Sequence, residues 1–333
     1  MRPLGTGTIA LLLALTTTAA AHGQTHLVVI SGLGGEPGYR ELFYEMGSSL
    51  VQAARDRHAV PGENILFFAE RPEREASITG KSTKENVESA FAGIATSIEP
   101  DARLFVVLIG HGSAQGGVSR FNLPGPDMTA ADFAALLARF PTQDIVFANL
   151  TSASGGFLPV LSGPRRTIIT ATRSGTERNE TLFGGHFVAA LVDEGADADK
   201  DERVSMLEAF DYARREVIRV YERENRLRTE HAQLDDNGDG VGSQEPDPQD
   251  GDGAVARTQF LATTRPGITT TATDDPALAA LYTERVELNR DIAALRLSKA
   301  ELAADVYERE LERLLLALAR ANRAIRAREG GTR

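Results

Sequence analysis

Five short apolar runs, each dense in β-branched residues, punctuate the first 171 residues of this 333-residue chain: 26–31, 64–68, 104–109, 144–148 and 166–171. They are continuous rather than alternating in hydrophobicity. A strand of that kind needs both faces covered, which is the signature of a parallel sheet inside a layered α/β domain. The intervening segments supply the cover. Residues 39–57 and 82–98 carry the periodicity of amphipathic helices, the second opened by Ser82 or Thr83 as N-cap with Glu85 close behind. The expectation is an α/β sandwich with a mostly parallel sheet, whose ligand site lies beyond the carboxyl ends of the strands. The loops that matter are then those after Ser31, Ile109, Ala148 and Ala171.

The N-terminus stands apart from this pattern. Arg2 is the only charged side chain before residue 24, residues 8–21 are apolar and small, and Ala19-Ala20-Ala21 offers an A-x-A cleavage pattern. A signal peptide over residues 1–23 is expected, with export to the periplasm or the extracellular space. The apolar run falls short of the ~20 residues that span a bilayer, so no stable membrane insertion is expected after cleavage. The chain contains no cysteine. Disulfides, zinc-thiolate sites, iron–sulfur clusters and any thiol nucleophile are thereby excluded. A formal charge of −11 also disfavours nucleic acid as a partner, because phosphate contacts need clustered Lys and Arg.

Two strand ends carry candidate chemistry. The third run leads into Gly110-His111-Gly112-Ser113, and the fourth into Asn149-Leu150-Thr151-Ser152-Ala153-Ser154-Gly155-Gly156. A histidine flanked by glycines at a strand's carboxyl end can present its imidazole and nearby backbone N–H groups to a bound carbonyl. A hydroxyl on a neighbouring strand end is then a plausible nucleophile. The small residues also suit a tight turn without any chemistry.

Strand, His-Gly, helix, strand and then a small residue before the nucleophile position, with Ser154-Gly155 after it, resembles the caspase/legumain-like cysteine peptidases, and the legumain branch most. The resemblance runs over about residues 26–230. It includes Tyr39-Arg40 after the first strand, Thr83-Lys84-Glu85-Asn86-Val87 before the second helix, and Thr170-Ala171-Thr172 followed by Glu177. It implies a caspase-like three-layer sandwich. His111 would be the general acid/base, Gly112 an oxyanion donor, and Ser152 would occupy the position of the nucleophile, with Ser154 a second choice. Arg40 and Glu177 would bind substrate. The departures are specific. Serine replaces the cysteine that defines the family, and Leu150 stands where legumain has an acidic residue. A thiol needs only a modest pKa shift to become a nucleophile, whereas a serine hydroxyl needs a base acting during attack, usually one oriented by a third group. The resemblance therefore implies either an impaired homologue that binds a peptide or protein ligand, or an endopeptidase using Ser152 with His111.

Beyond residue 195 the chain turns acidic and glycine-rich. Asp197, Asp199, Asp201 and Glu208 fall at positions 1, 3, 5 and 12 of an EF-hand loop, with the Arg203 carbonyl at position 7. Glu202 replaces the turn glycine of position 6. A second loop places Asp235, Asn237, Asp239 and the Val241 carbonyl at positions 1, 3, 5 and 7, with glycine at 6 but Pro246 at 12. Calcium is the expected cofactor of the insertions 197–208 and 235–252, against the alternative of solvated acidic loops; no organic cofactor is expected. The main domain is expected over 24–265 and a helical tail over 276–333. In the tail Leu281, Leu288, Leu295 and Leu302, then Leu311, Leu318 and Ile325, recur every seven residues, with a weaker stretch at 297–299. That pattern fits a helical hairpin packed on its own chain, or a coiled coil that makes a homodimer; taken with the acidic loops, the latter leaves open a third function, a calcium-dependent interaction protein oligomerising through its C-terminal helices.

Overall fold

All five apolar runs form strands, with boundaries within one residue of those expected. In the computed structural model the described residues are 24–261 apart from 202 and 250, scattered positions between 277 and 295, and 302–330. The expected signal peptide, Glu202 and the stretch 297–299 lie outside the described residues. The strands are β1 (Thr25–Ser31), β2 (Ile65–Ala69), β3 (Gly80–Lys81), β4 (Arg103–Ile109), β5 (Gly112–Gln115), β6 (Val118–Phe121), β7 (Met128–Thr129), β8 (Asp144–Asn149), β9 (Arg166–Thr170) and β10 (Gln233–Asp235). The helices are α1 (Pro37–Asp56), α2 (Lys84–Ser97), α3 (Ala130–Leu137), α4 (Leu158–Leu161), α5 (Phe183–Val192), α6 (Met206–Arg223) and α7 (Ala304–Gly330).

One seven-stranded sheet has the order β10-β9-β8-β4-β1-β2-β3, parallel throughout except for the antiparallel β10 at its edge. Alternate residues of each strand feed two separate cores. Leu27, Val29, Phe105, Val107, Val146 and Ala148 pack beneath α1, α5 and α6, whereas Val28, Ile30, Leu104, Val106, Ile145 and Phe147 pack beneath α2, α3 and α4. The result is the three-layer α/β sandwich read from the sequence. Each of these buried aliphatic and aromatic side chains contributes on the order of 1.5–3 kcal/mol.

Capping sets the helix starts. Thr83 caps α2, its side chain accepting from Asn86 N. Proline at the first position of α1 moves its start two residues upstream of the periodic pattern. A small antiparallel sheet, β5-β6-β7, follows directly from the His-Gly turn, and no apolar run announced it. In the tail, Leu314, Ala321 and Ile325 are buried, and with the half-buried Leu311 and Leu318 they form a continuous seam along α7. No described helix is long and apolar enough to cross a membrane.

Candidate functional site

β4 and β8 are neighbours in the sheet, so the turns that follow them open side by side. His111 comes off the first turn and Ser152 off the second. Both line one cavity of about 220 Å³ between α1 and the start of α5, together with Glu180, Thr181 and His186. Two aromatic rings from α1 hold the imidazole edge-on, with centroids 4.6 Å (Tyr39) and 4.9 Å (Phe43) away. Burial holds the His111 pKa below the ordinary histidine value. The charges of Glu180 and Glu36, and a hydrogen bond with the backbone of Gly34, pull the other way. His111 is thus neutral at neutral pH and suited to accept a proton.

Ser152 is only 4% exposed, and its hydroxyl is turned onto the other strand end. Oγ donates to the Gly112 carbonyl at 3.0 Å and accepts the Gly112 N–H at 3.2 Å. The two turns are so close that a Cβ at Gly112 would lie 2.0 Å from the Ser152 carbonyl oxygen. Glycine there is a steric requirement. Ala153, the next residue, sits in the left-handed region at φ 52°, with its N–H donating to the Glu177 carbonyl at 2.7 Å. Strain of this kind persists only where the surroundings fix it. Beneath the elbow lies a fully buried polar network. Asn149 Oδ1 accepts from Thr151 N (3.1 Å) and Thr151 Oγ1 (2.7 Å), Ser154 Oγ accepts from Thr172 N (3.1 Å), and Thr172 Oγ1 accepts from Gly155 N (3.0 Å). Ser154 is therefore structural, its hydroxyl facing Thr172 rather than the cavity.

Arg40 and Glu177, expected to bind substrate, are not among the residues lining the cavity. Arg40 Nε pairs with Glu70 Oε1 at 2.9 Å, and its NH2 group donates to the Gly35 carbonyl at 3.1 Å. The Glu177 carboxylate contacts His231 Nδ1 at 2.7 Å and accepts the N–H groups of His231 (3.1 Å) and Arg173 (2.9 Å). The neighbouring Glu230, 3% exposed, accepts the N–H groups of Leu182 and Phe183 at 3.0 Å each and so caps α5. Burial pushes the Glu230 pKa up, and those two hydrogen bonds oppose it. Sequence reasoning missed Glu180, His186 and Glu230, since each comes from a segment with no motif of its own.

The first acidic loop folds inward. Asp197, Asp199 and Glu208 bring carboxylate oxygens within 4.8 Å of one another, the one such convergence of acidic or histidine groups among the described residues. Glu208 reaches back from α6, accepting from Ala198 N at 2.9 Å while closing a capping box with Ser205. Asp201 stays outside that group. Its N–H donates to Asp197 Oδ1 and to Asp199 Oδ1, 3.1 Å each, and its own Oδ1 accepts from Arg203 N at 2.9 Å. The Arg203 guanidinium stacks 3.6 Å above the Phe260 ring. Burial, followed by the neighbouring carboxylate charges, raises the pKa of Asp199 and Asp201.

In the second loop the side chains close onto their own backbone. Asp235 accepts from Gly238 N (3.0 Å) and Gly240 N (3.1 Å), Asn237 from Asp239 N (2.8 Å), and Asp239 from Val241 N (2.7 Å). Two acids outside the expected ligand set are buried beside it. Asp236 accepts from Gly253, Val255 and Ala256 N–H groups, and its own N–H donates to Asp252 at 3.1 Å. Burial, together with the charges of Asp236, Asp235 and Asp239, pushes Asp252 up to about 7, against the hydrogen bond from Asp236 N.

No family model matches the chain, and no curated protein matches it. Among solved structures it is similar to a secreted C11 cysteine protease from Bacteroides thetaiotaomicron, determined by X-ray in complex with an irreversible peptide inhibitor. Identity is 13% and the TM-score 0.35, and the match covers 59% of this chain and 59% of that one.

Proposed function

We propose that this chain is an exported homologue of the caspase/legumain-like peptidases whose cavity holds a peptide or protein segment and cleaves it poorly or not at all. The observation that carries this reading is the closure of Ser152 on Gly112. For attack, the hydroxyl proton must pass to His111 and the developing oxyanion must find a donor. Here Ser152 Oγ gives its proton to the Gly112 carbonyl, and the Gly112 N–H that would serve the oxyanion is spent on the same Oγ. A substrate would have to break both hydrogen bonds before any bond could form. The competing reading, an endopeptidase using Ser152 with His111, draws on the cavity that both side chains share and on the neutral imidazole.

Peptide-library turnover by wild type, Ser152→Ala and Ser152→Cys decides between them. The expected result is no wild-type turnover, with activity appearing only in the cysteine variant, whose thiolate needs less assistance. Wild-type turnover that disappears in Ser152→Ala would overturn the impaired reading. Binding by the cavity is checked separately, by calorimetric titration of any peptide the cysteine variant cleaves into the Ser152→Ala protein. Absence of heat at millimolar peptide would remove the binding role.

The acidic loops are read as calcium sites that stabilise the domain, with the Asp197, Asp199 and Glu208 convergence as the support. Calcium bound only to the folded state at a hundredfold excess over its Kd adds about 2.7 kcal/mol. The unfolding midpoint should therefore rise with calcium and fall with chelator, and an unchanged midpoint would remove the reading. The organisation proposed with it is a leader over 1–23, a catalytic-type domain over 24–265 and a helical tail from 276.

A further inference from the structure

We infer that Glu70 is a positioning residue for His111, acting through the loop between β1 and α1 rather than by touching the imidazole. The inference rests on the reading of His111 as the acid/base of the site. Glu70 follows β2, which is separated from β4 by β1, so the carboxylate and the imidazole stand on strand ends two places apart. The loop 32–36 fills the space between them.

Glu70 divides its carboxylate. Oε2 accepts the Gly34 N–H at 3.0 Å and Oε1 accepts Arg40 Nε at 2.9 Å, while the far side of the same guanidinium donates to the Gly35 carbonyl at 3.1 Å. Carboxylate, two consecutive residues of the loop and guanidinium thus close a ring of charge-assisted hydrogen bonds. Glu70 and Arg40 retain only 16% and 23% side-chain exposure, so solvent screens this ring less than it would a surface ion pair. Contact behind the ring is equally close. A Cβ at Gly34 would lie 2.6 Å from the Arg40 Cα, so loop and helix meet backbone to backbone.

Both elements held by the ring reach His111. The backbone of Gly34 lies beside the imidazole and favours its charged form, against the effect of burial. Tyr39, the residue before Arg40, and Phe43, one turn further along α1, supply the rings that cage it. Gly32 and Leu33 are tied elsewhere, their N–H groups donating to the carbonyls of Ile109 (2.8 Å) and Asn122 (2.9 Å). Past Leu33, the Glu70 and Arg40 side chains hold the loop at Gly34 and Gly35, beside one backbone bond from Glu36 N–H to the Gly34 carbonyl at 2.8 Å. The chemical consequence is a choice of tautomer. An imidazole whose one nitrogen is engaged by a fixed backbone group keeps the other free for the cavity, which is what an orienting third group accomplishes in a triad. The engagement of Arg40 within this ring also accounts for its absence from the cavity wall.

A purely structural role would be to anchor the start of α1, so the test must read the imidazole itself. The full chain, labelled with ¹⁵N-histidine, is titrated by long-range ¹H–¹⁵N correlation in wild type, Glu70→Ala, Glu70→Gln and Arg40→Met, with His111 assigned by its loss in His111→Gln. The groups facing His111 are Glu36 in the loop, Tyr39 on α1, Glu180 before α5 and His186 on α5, and none of them is altered. In Glu70→Ala, His111 is expected to lose its single-tautomer signature and to titrate at lower pH, because the backbone group that favours the cation is no longer held in place. Glu70→Gln keeps an acceptor for Gly34 N–H and should restore most of the signature. Arg40→Met, which leaves Gly34 tied to Glu70, should shift His111 in the same direction by less. His26 and His58 should be unchanged in all of them. A His111 tautomer and midpoint unaltered in both Glu70→Ala and Arg40→Met would overturn the inference, and Arg40→Met keeps the test open if Glu70→Ala does not fold. The readout needs no turnover, so an inactive wild-type protein leaves it intact. In an active Ser152→Cys background, Glu70→Ala should lower kcat by about tenfold or more with KM little changed.

Discussion

Ser152 and Gly112 hold each other, and that mutual hold decides how much of the site's chemistry is open to a ligand. The hydroxyl is both donor and acceptor to one glycine, and the glycine can have no side chain because the Ser152 carbonyl lies where its Cβ would be. A sulfur at the same position makes weaker hydrogen bonds, so the Ser152→Cys variant is expected to release the Gly112 N–H as well as to supply a better nucleophile. Asp252 illustrates a different consequence of burial at a single residue. Its folded-state pKa of about 7 lies above the ordinary value, so the folded protein binds a proton that the unfolded chain releases. Stability from this group is present at low pH and is lost as pH rises toward 7. Asp252→Asn should therefore melt higher than wild type at pH 8 in chelator, with the difference shrinking as pH falls from about 7 and vanishing only below the unfolded-chain value of 3.8. A difference independent of pH, or of opposite sign, would mean that Asp252 is not held protonated. His26, His58, His111 and His186 are all depressed by burial and push stability the other way at acid pH. The comparison of variant with wild type cancels them.

Among the elements, those with strong periodicity were legible in the sequence and those made by tertiary contact were not. The runs at 26–31, 104–109 and 144–148 could only be buried strands, and their carboxyl ends led directly to His111 and Ser152. α6 was announced by its apolar stripe, and Ser205 and Glu208 close the capping box at its start. By contrast, β5 carries Gly-Ser-Ala-Gln, a sequence with little strand preference, and becomes a strand because it leaves the His-Gly turn beside β6. α5 begins at Phe183-Gly184-Gly185, a poor helix start, and is held there by Glu230 from 47 residues further along the chain. Side chains brought in from such a distance leave no local spacing to read. The substrate role expected of Arg40 came from the family resemblance alone, and its partner Glu70, 30 residues away, was likewise invisible to local spacing.

Over the whole molecule, the candidate site and the tail lie towards opposite ends of the strands, since Arg103 at the start of β4 bonds the carbonyl of Phe260, which lines the cavity beside the tail. The cavity opens at the carboxyl ends of β4 and β8, whereas Leu318 and Asn322 of α7, with Arg285, line a second cavity of about 470 Å³ shared with Asp199, Asp201 and Glu208. The charge of Arg285 opposes, without reversing, the rise in pKa that burial imposes on both aspartates, so the tail offsets part of the loop's negative charge. With Leu314, Ala321 and Ile325 already buried within one chain, the heptad seam is occupied, and the helical-hairpin arrangement is the one expected in solution. Light scattering at micromolar concentration should give a monomer mass, and a dimer mass would mean that the seam is shared between two chains. Glu230 and His231 have a separate consequence at this scale. One grips the start of α5, which forms a wall of the cavity, and the other grips Glu177, whose carbonyl holds the elbow at Ala153. Because the two residues are consecutive, the walls share one mechanical support. A designer who wished to widen the cavity by moving α5 would move the Ser152 turn with it, so cavity size and the placement of the Ser152 hydroxyl cannot be engineered independently from this side of the fold.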